Sequence, residues 1–181
     1  MPDNQYKVKE QLFTAKTLYR ELKQNMAELP TDNPNLLFND LVQLAKGNPK
    51  IDAQMVLQQI NQSLVLRRQY VQLLQKMAFT SSPVQAAAST TDNINSRHSA
   101  EFELLFKPDK EFAGQVYVII KIPHPTEHQK NHGVRINCCS EKLISTVLFP
   151  PIVDGKTQLL MEESDKKFIH MFDAEFALYL A

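Results

Sequence analysis

Three of the five histidines, His124, His128 and His132, fall within nine residues, with Glu127 among them and the pair Cys138 and Cys139 shortly after. Neutral imidazoles and thiolates are the usual ligands of zinc, and histidines four apart share a face of a helix. His124, His128 and His132 are therefore the candidate ligands of a zinc ion, the one cofactor the sequence suggests. The backbone opposes it. Pro123 and Pro125 flank His124, and Gly133 follows His132. The stretch is expected to be an exposed loop between strands, where solvated histidines are the simpler reading.

A thiol nucleophile would need Cys138 or Cys139 to be activated by a nearby histidine. In a strand one of the two points inward as a small hydrophobe and the other outward, and no local signature surrounds either. Adjacent cysteines reach disulfide geometry only with a distorted peptide, so free thiols in a reducing compartment are expected. His170, between Phe168 and Phe172, is expected to be a packed histidine at the edge of a core. No catalytic residue is assigned.

Glycine-rich nucleotide-binding fingerprints are absent. Gly47, Gly114, Gly133 and Gly155 are the only four, and they are far apart. Phosphate-cradling loops need clustered glycines. Gly155-Lys156-Thr157 resembles the tail of such a loop, but Pro150 stands where its first glycine is required. Lys plus Arg and Asp plus Glu are balanced at 20 each, and basic residues are scattered, so nucleic acid is not an expected partner. No stretch approaches the roughly 18 apolar residues that span a bilayer, and the first residues lack the apolar core of a signal peptide. A cytoplasmic protein without a membrane span is expected.

These residues are positioned by a chain that reads as α+β in three parts. Residues 1–79 are expected to be a helical hairpin or bundle of coiled-coil type that serves assembly or interaction. Val8, Leu12, Ala15, Tyr19, Leu22, Met26 and Leu29 keep one face apolar at a 3.5-residue period. A short helix follows over 35–46. A third, capped by Asp52, is expected to run unbroken to Phe79, about 28 residues or roughly 40 Å. Its stripe is Ala53, Leu57, Ile60, Leu64, Arg67, Val71, Leu74 and Ala78. Arg67 either meets a carboxylate across an interface or is solvated, with the true stripe rotated onto Val56, Leu66 and Leu73.

Residues 80–100, polar and without aromatics, are expected to be a flexible linker. Residues 101–181 are expected to form a small α+β domain with a mainly antiparallel sheet. Strands are expected at 101–106, 115–122 (apolar on both faces and so central), 134–138, 157–162 and 167–172, the last two as a hairpin. A short helix is expected between Ser140 and Pro150, and 173–181 is ambiguous. The first part carries ten basic against seven acidic residues and the last nine against twelve, a modest opposition that suits two parts.

The apolar excess of the helical part points to partner helices from a second copy of the chain or another protein. The partner-binding candidates are Leu12, Tyr19, Leu22, Met26, Leu57, Ile60, Leu64, Arg67, Val71 and Leu74. The expected function is non-enzymatic protein–protein interaction, as an adaptor or subunit of a larger complex. The alternative is a small metal-dependent or thiol enzyme around His124, His128, His132 and Cys138 or Cys139.

Overall fold

The computed structural model describes residues 38–47, 51–78, 80–82 and 96–181. The expected seam over 8–29, with Leu12, Tyr19, Leu22 and Met26, lies outside the described residues. Phe38–Ala181 forms one compact unit of helices and antiparallel sheets.

Among the described residues three helices come first: α1 (Phe38–Ala45), α2 (Ala53–Gln62) and α3 (Leu64–Met77). Asp52 caps α2 as expected, its carboxylate accepting from the Met55 amide at 3.0 Å. The long helix breaks once. Ser63 is extended (φ −126°, ψ 120°), and its side chain accepts from the Leu66 amide while its own N–H returns to the Ile60 carbonyl. A serine that caps both neighbours ends one helix and starts another without glycine or proline.

The strands are β1 (Thr80–Ser82), β2 (Ser96–His98), β3 (Glu103–Pro108), β4 (Gln115–Lys121), β5 (Val134–Cys139), β6 (Ile144–Phe149), β7 (Lys156–Glu162) and β8 (Ala177–Leu180). Helix α4 (Glu127–His132) lies between β4 and β5, and α5 (Lys166–Phe172) between β7 and β8. One sheet has the order β1-β8-β5-β6 and the other β2-β3-β4-β7, all pairs antiparallel. The alternation in β4 buries Val116, Val118 and Ile120 and leaves Tyr117 and Ile119 half-exposed. These meet Ile136, Cys138, Val147, Phe149 and Leu178 of the other sheet in one core. Phe168 and Met171 of α5 close that core, Phe168 edge-on to Phe106 at 5.8 Å.

The other face of the first sheet carries the helices. Asn61 behaves as a strand residue there: Nδ2 donates to the Ile144 carbonyl and Oδ1 accepts from the Ile144 amide, both at 2.8 Å. Arg135 reaches the Leu44 carbonyl at 3.2 Å. Leu41, Leu44, Val56, Ile60, Tyr70, Leu73 and Leu74 are buried among the helices and against the sheet.

Several expectations differ from this structure. Thr80–Ser82 pairs with Leu178–Leu180, and Ser96–His98 pairs with β3, so both ends of the stretch read as a linker are strands. The helices from Phe38 on belong to the same compact unit as the sheets rather than to a separate domain ending at 79. The segment after Ser140 is not a helix. The Ser140 hydroxyl accepts from the Lys142 and Leu143 amides in a turn, and Ile144 to Val147, β-branched at Ile144, Thr146 and Val147, pairs with β5. Nor is 167–172 a strand. Asp165 caps α5 by accepting from the Lys167 amide at 2.7 Å, and β7 pairs with β4 instead. The ambiguous tail supplies β8.

Candidate functional site

Helix α3 buries Tyr70, Leu73 and Leu74 on one face and turns Leu64, Arg67 and Val71 toward an open cleft of about 580 Å³. The opposite wall is the β5–β6 turn, Cys139 to Glu141, with Glu175 and Ala177. Leu64 is 44% exposed, a large aliphatic side chain held at the surface. Arg67 follows neither expectation. Its Nε donates to the Glu141 carbonyl at 3.0 Å and its Nη1 to the Asn61 carbonyl, so the guanidinium ties the helix break to the far wall of the cleft. Ile60 and Leu74 are fully buried, Leu57 is half-buried, and Val56 and Leu73 of the rotated stripe are buried as well. Three of the expected partner residues, Leu64, Arg67 and Val71, thus share one surface.

A second group of polar residues lies at one end of the space between the sheets. Arg97, fully buried, donates to the carbonyls of Met171 (3.2 Å), Asp173 (3.3 Å) and Phe176 (2.6 Å). A cation there completes the carbonyls that the end of α5 leaves open. His170 Nδ1 lies 2.8 Å from the Ser145 hydroxyl, and its ring stacks on Phe176 at 4.7 Å. It is packed as expected, though from a helix. Burial holds the imidazole below its ordinary pKa of 6.5, partly offset by Asp173 and Asp165, so it is neutral at neutral pH. A neutral histidine beside a serine is the first requirement of a nucleophile and base. No hydrogen-bond partner among the described residues orients the other ring nitrogen, and a working pair needs that third group.

Both thiols are held in their protonated form. Both are free and buried, Cys138 against the core and Cys139 under the helix layer. Burial pushes the Cys138 thiol up to about 12 despite the Ser145 hydroxyl, and it raises the Cys139 thiol as well, helped by the charge of Cys138. The outward-pointing cysteine was expected to be exposed; the helices resting on the sheet cover it.

The histidine segment is partly helical, contrary to the loop expected. Thr126 Oγ1 accepts from the Gln129 amide at 3.3 Å, and Gln129 Oε1 accepts from the Thr126 amide at 2.8 Å. This reciprocal cap starts α4 just past the prolines, and Gly133 ends it. His128 and His132 stand one turn apart with ring centres 4.8 Å from each other. His124 precedes the cap. No group of three or more His, Cys, Asp or Glu able to hold a metal occurs among the described residues, so the three histidines do not converge.

Sequence reading missed Arg97, Ser145, Asn61 and Tyr70, whose partners are distant in the chain. The capping box Thr126-x-x-Gln129 was a signal that could have revealed α4. Among the described residues no helix is long and apolar enough to cross a membrane. No protein-family model, curated protein or solved structure matches the chain.

Proposed function

We propose that this is a non-enzymatic interaction protein, an adaptor or subunit that takes an amphipathic helix of a protein partner into the cleft beside α3. The observation that carries this is the run Leu64, Arg68, Val71 and Gln75, spaced four, three and four, which lines one wall of the open cleft. Helix-in-groove recognition uses that spacing. Exposed Arg68 on one wall and Glu141 and Glu175 on the other favour a partner helix with acidic residues toward α3 and basic residues toward the β5–β6 turn. Self-association through the same face is the second form of this proposal. A reducing, cytoplasmic setting agrees with two free buried thiols.

The enzymatic alternative has less support, because its thiols are held protonated and its three histidines do not converge. The test uses the full chain carrying a photo-crosslinker at Gln72. Sedimentation and intact-complex mass give the stoichiometry, and the crosslinked peptide identifies what lies in the cleft. Leu64→Asp and Val71→Asp are expected to abolish the complex with unchanged melting. A complex that persists in both variants overturns the proposal.

A further inference from the structure

We propose that His128 and His132 form a two-imidazole chelate for a divalent transition ion, Zn(II), Ni(II) or Cu(II), on the exposed face of α4. Both side chains are exposed and sit four residues apart on one helical turn. That spacing places them one above the other. The spacing of the two rings matches that of an ion held by one nitrogen of each. With metal–nitrogen bonds of about 2.0–2.1 Å, the ion lies roughly 3.2 Å from each ring centre, and ligand angles of 90° to 109° then need ring centres about 4.5–5.2 Å apart. The observed separation is 4.8 Å, with the rings inclined at 48°.

The backbone that sets this spacing is held at both ends. The reciprocal Thr126–Gln129 cap fixes the first turn, and buried Gln129 also accepts from the Ile152 amide at 3.1 Å through its carbonyl. Gly133 then turns the chain into β5. The neighbouring charges on α4 cancel, because Lys130 pairs with Glu127 at 2.7 Å. Imidazole is a ligand for this class of ion, and two of them leave coordination positions for water or for a donor from another molecule. Binding requires both rings neutral, so protons compete with the metal. The chelate lies at the Val134 end of β5, about 17 Å of strand from the cleft at the Cys139 end. It is independent of the partner proposal.

The test is calorimetric titration of the full chain with ZnCl2, NiCl2 and CuCl2, each alone in a non-chelating buffer. One ion per chain with a Kd below about 0.1 mM is expected for at least one metal. His128→Ala and His132→Ala should each weaken it by about tenfold or more, and His124→Ala should leave it unchanged. All three positions are exposed, and an unchanged melting curve establishes that each variant is folded. Three results would overturn the proposal: no binding below 1 mM, binding that survives removal of both histidines, or loss of binding in His124→Ala.

Discussion

The phenol of Tyr70 donates a 3.0 Å hydrogen bond to Oδ1 of Asn137, joining α3 to β5 in a site that excludes water from both residues. The Asn137 amide in turn donates to the Tyr179 carbonyl at 3.4 Å. Tyr70→Phe keeps the packing and strands a buried acceptor, so it should cost about 1–2 kcal/mol in urea unfolding. A cost near zero would mean that α3 does not rest on this sheet.

The same burial raises the Tyr70 phenol far above its ordinary value of 10.0. An unfolded chain releases this proton above pH 10 and the native chain does not. The native state then binds more protons, and stability falls as pH rises. Below pH 10 the contribution is fully present; above it the contribution declines. Tyr70→Phe should lose less stability than wild type between pH 9.5 and about 11, because the two cysteines titrate alike in both proteins. Parallel declines would contradict the buried phenol.

Arg97 offers a sharper test of what lies between the sheets. Its guanidinium satisfies three carbonyls around the end of α5 and the turn into β8, and burial lowers its pKa without discharging it. Arg97→Met fills the volume but leaves those carbonyls without their cation, a loss of about 3 kcal/mol or more. Arg97→Lys should not rescue it, since one ammonium cannot reach three divergent acceptors as a planar fork does. Equal stability of the lysine variant and wild type would refute this account.

What could be read from the sequence followed periodicity, and what could not followed distance along the chain. Val116, Val118 and Ile120 alternate with Tyr117 and Ile119, and that pattern placed β4 correctly at the centre of a sheet. Phe168, His170 and Phe172 also alternate, yet Phe168, Met171 and Phe172 fit a helix equally, and only the Asp165 cap decides between them. The break at Ser63 follows the polar pair Asn61-Gln62, where no glycine or proline marks an end and only the serine's preference for a cap position gives a sign of it. Arg97 could not be found at all: its acceptors lie 74 to 79 positions away, and its surroundings resemble a linker. The cleft is legible only in part, because Leu64 and Ile60 belong to one stripe and the break separates their fates.

His170 should make the protein sensitive to acid. Burial lowers its pKa from 6.5, so as pH falls through that value the unfolded state takes up a proton before the native state does. Stability is therefore present above about pH 6.5 and is lost progressively below it, down to the depressed native value. His170→Gln should remove this part of the acid slope and leave the carboxylates' part. Urea midpoints of both proteins between pH 7 and 5 measure the difference, and identical slopes would show that the ring is not desolvated.

Two glycines separate backbone strain from steric collision. Gly133 adopts φ 86°, ψ −170°, a region almost confined to glycine, and a Cβ there would stand 2.1 Å from the Phe149 carbonyl oxygen. Gly47 also has positive φ, at 72°, but a Cβ would meet nothing within 4 Å. Gly47→Ala should therefore cost about 1–2 kcal/mol, the strain alone. Gly133→Ala must in addition push the end of β6 away from the start of β5, and the total should be about 3 kcal/mol or more. Because Gly133 closes α4, the same substitution should disturb the spacing of His128 and His132. Thermal melts of the two variants side by side give the comparison, and equal losses would mean that the Phe149 carbonyl yields freely and that α4 is not held by its C-terminal turn.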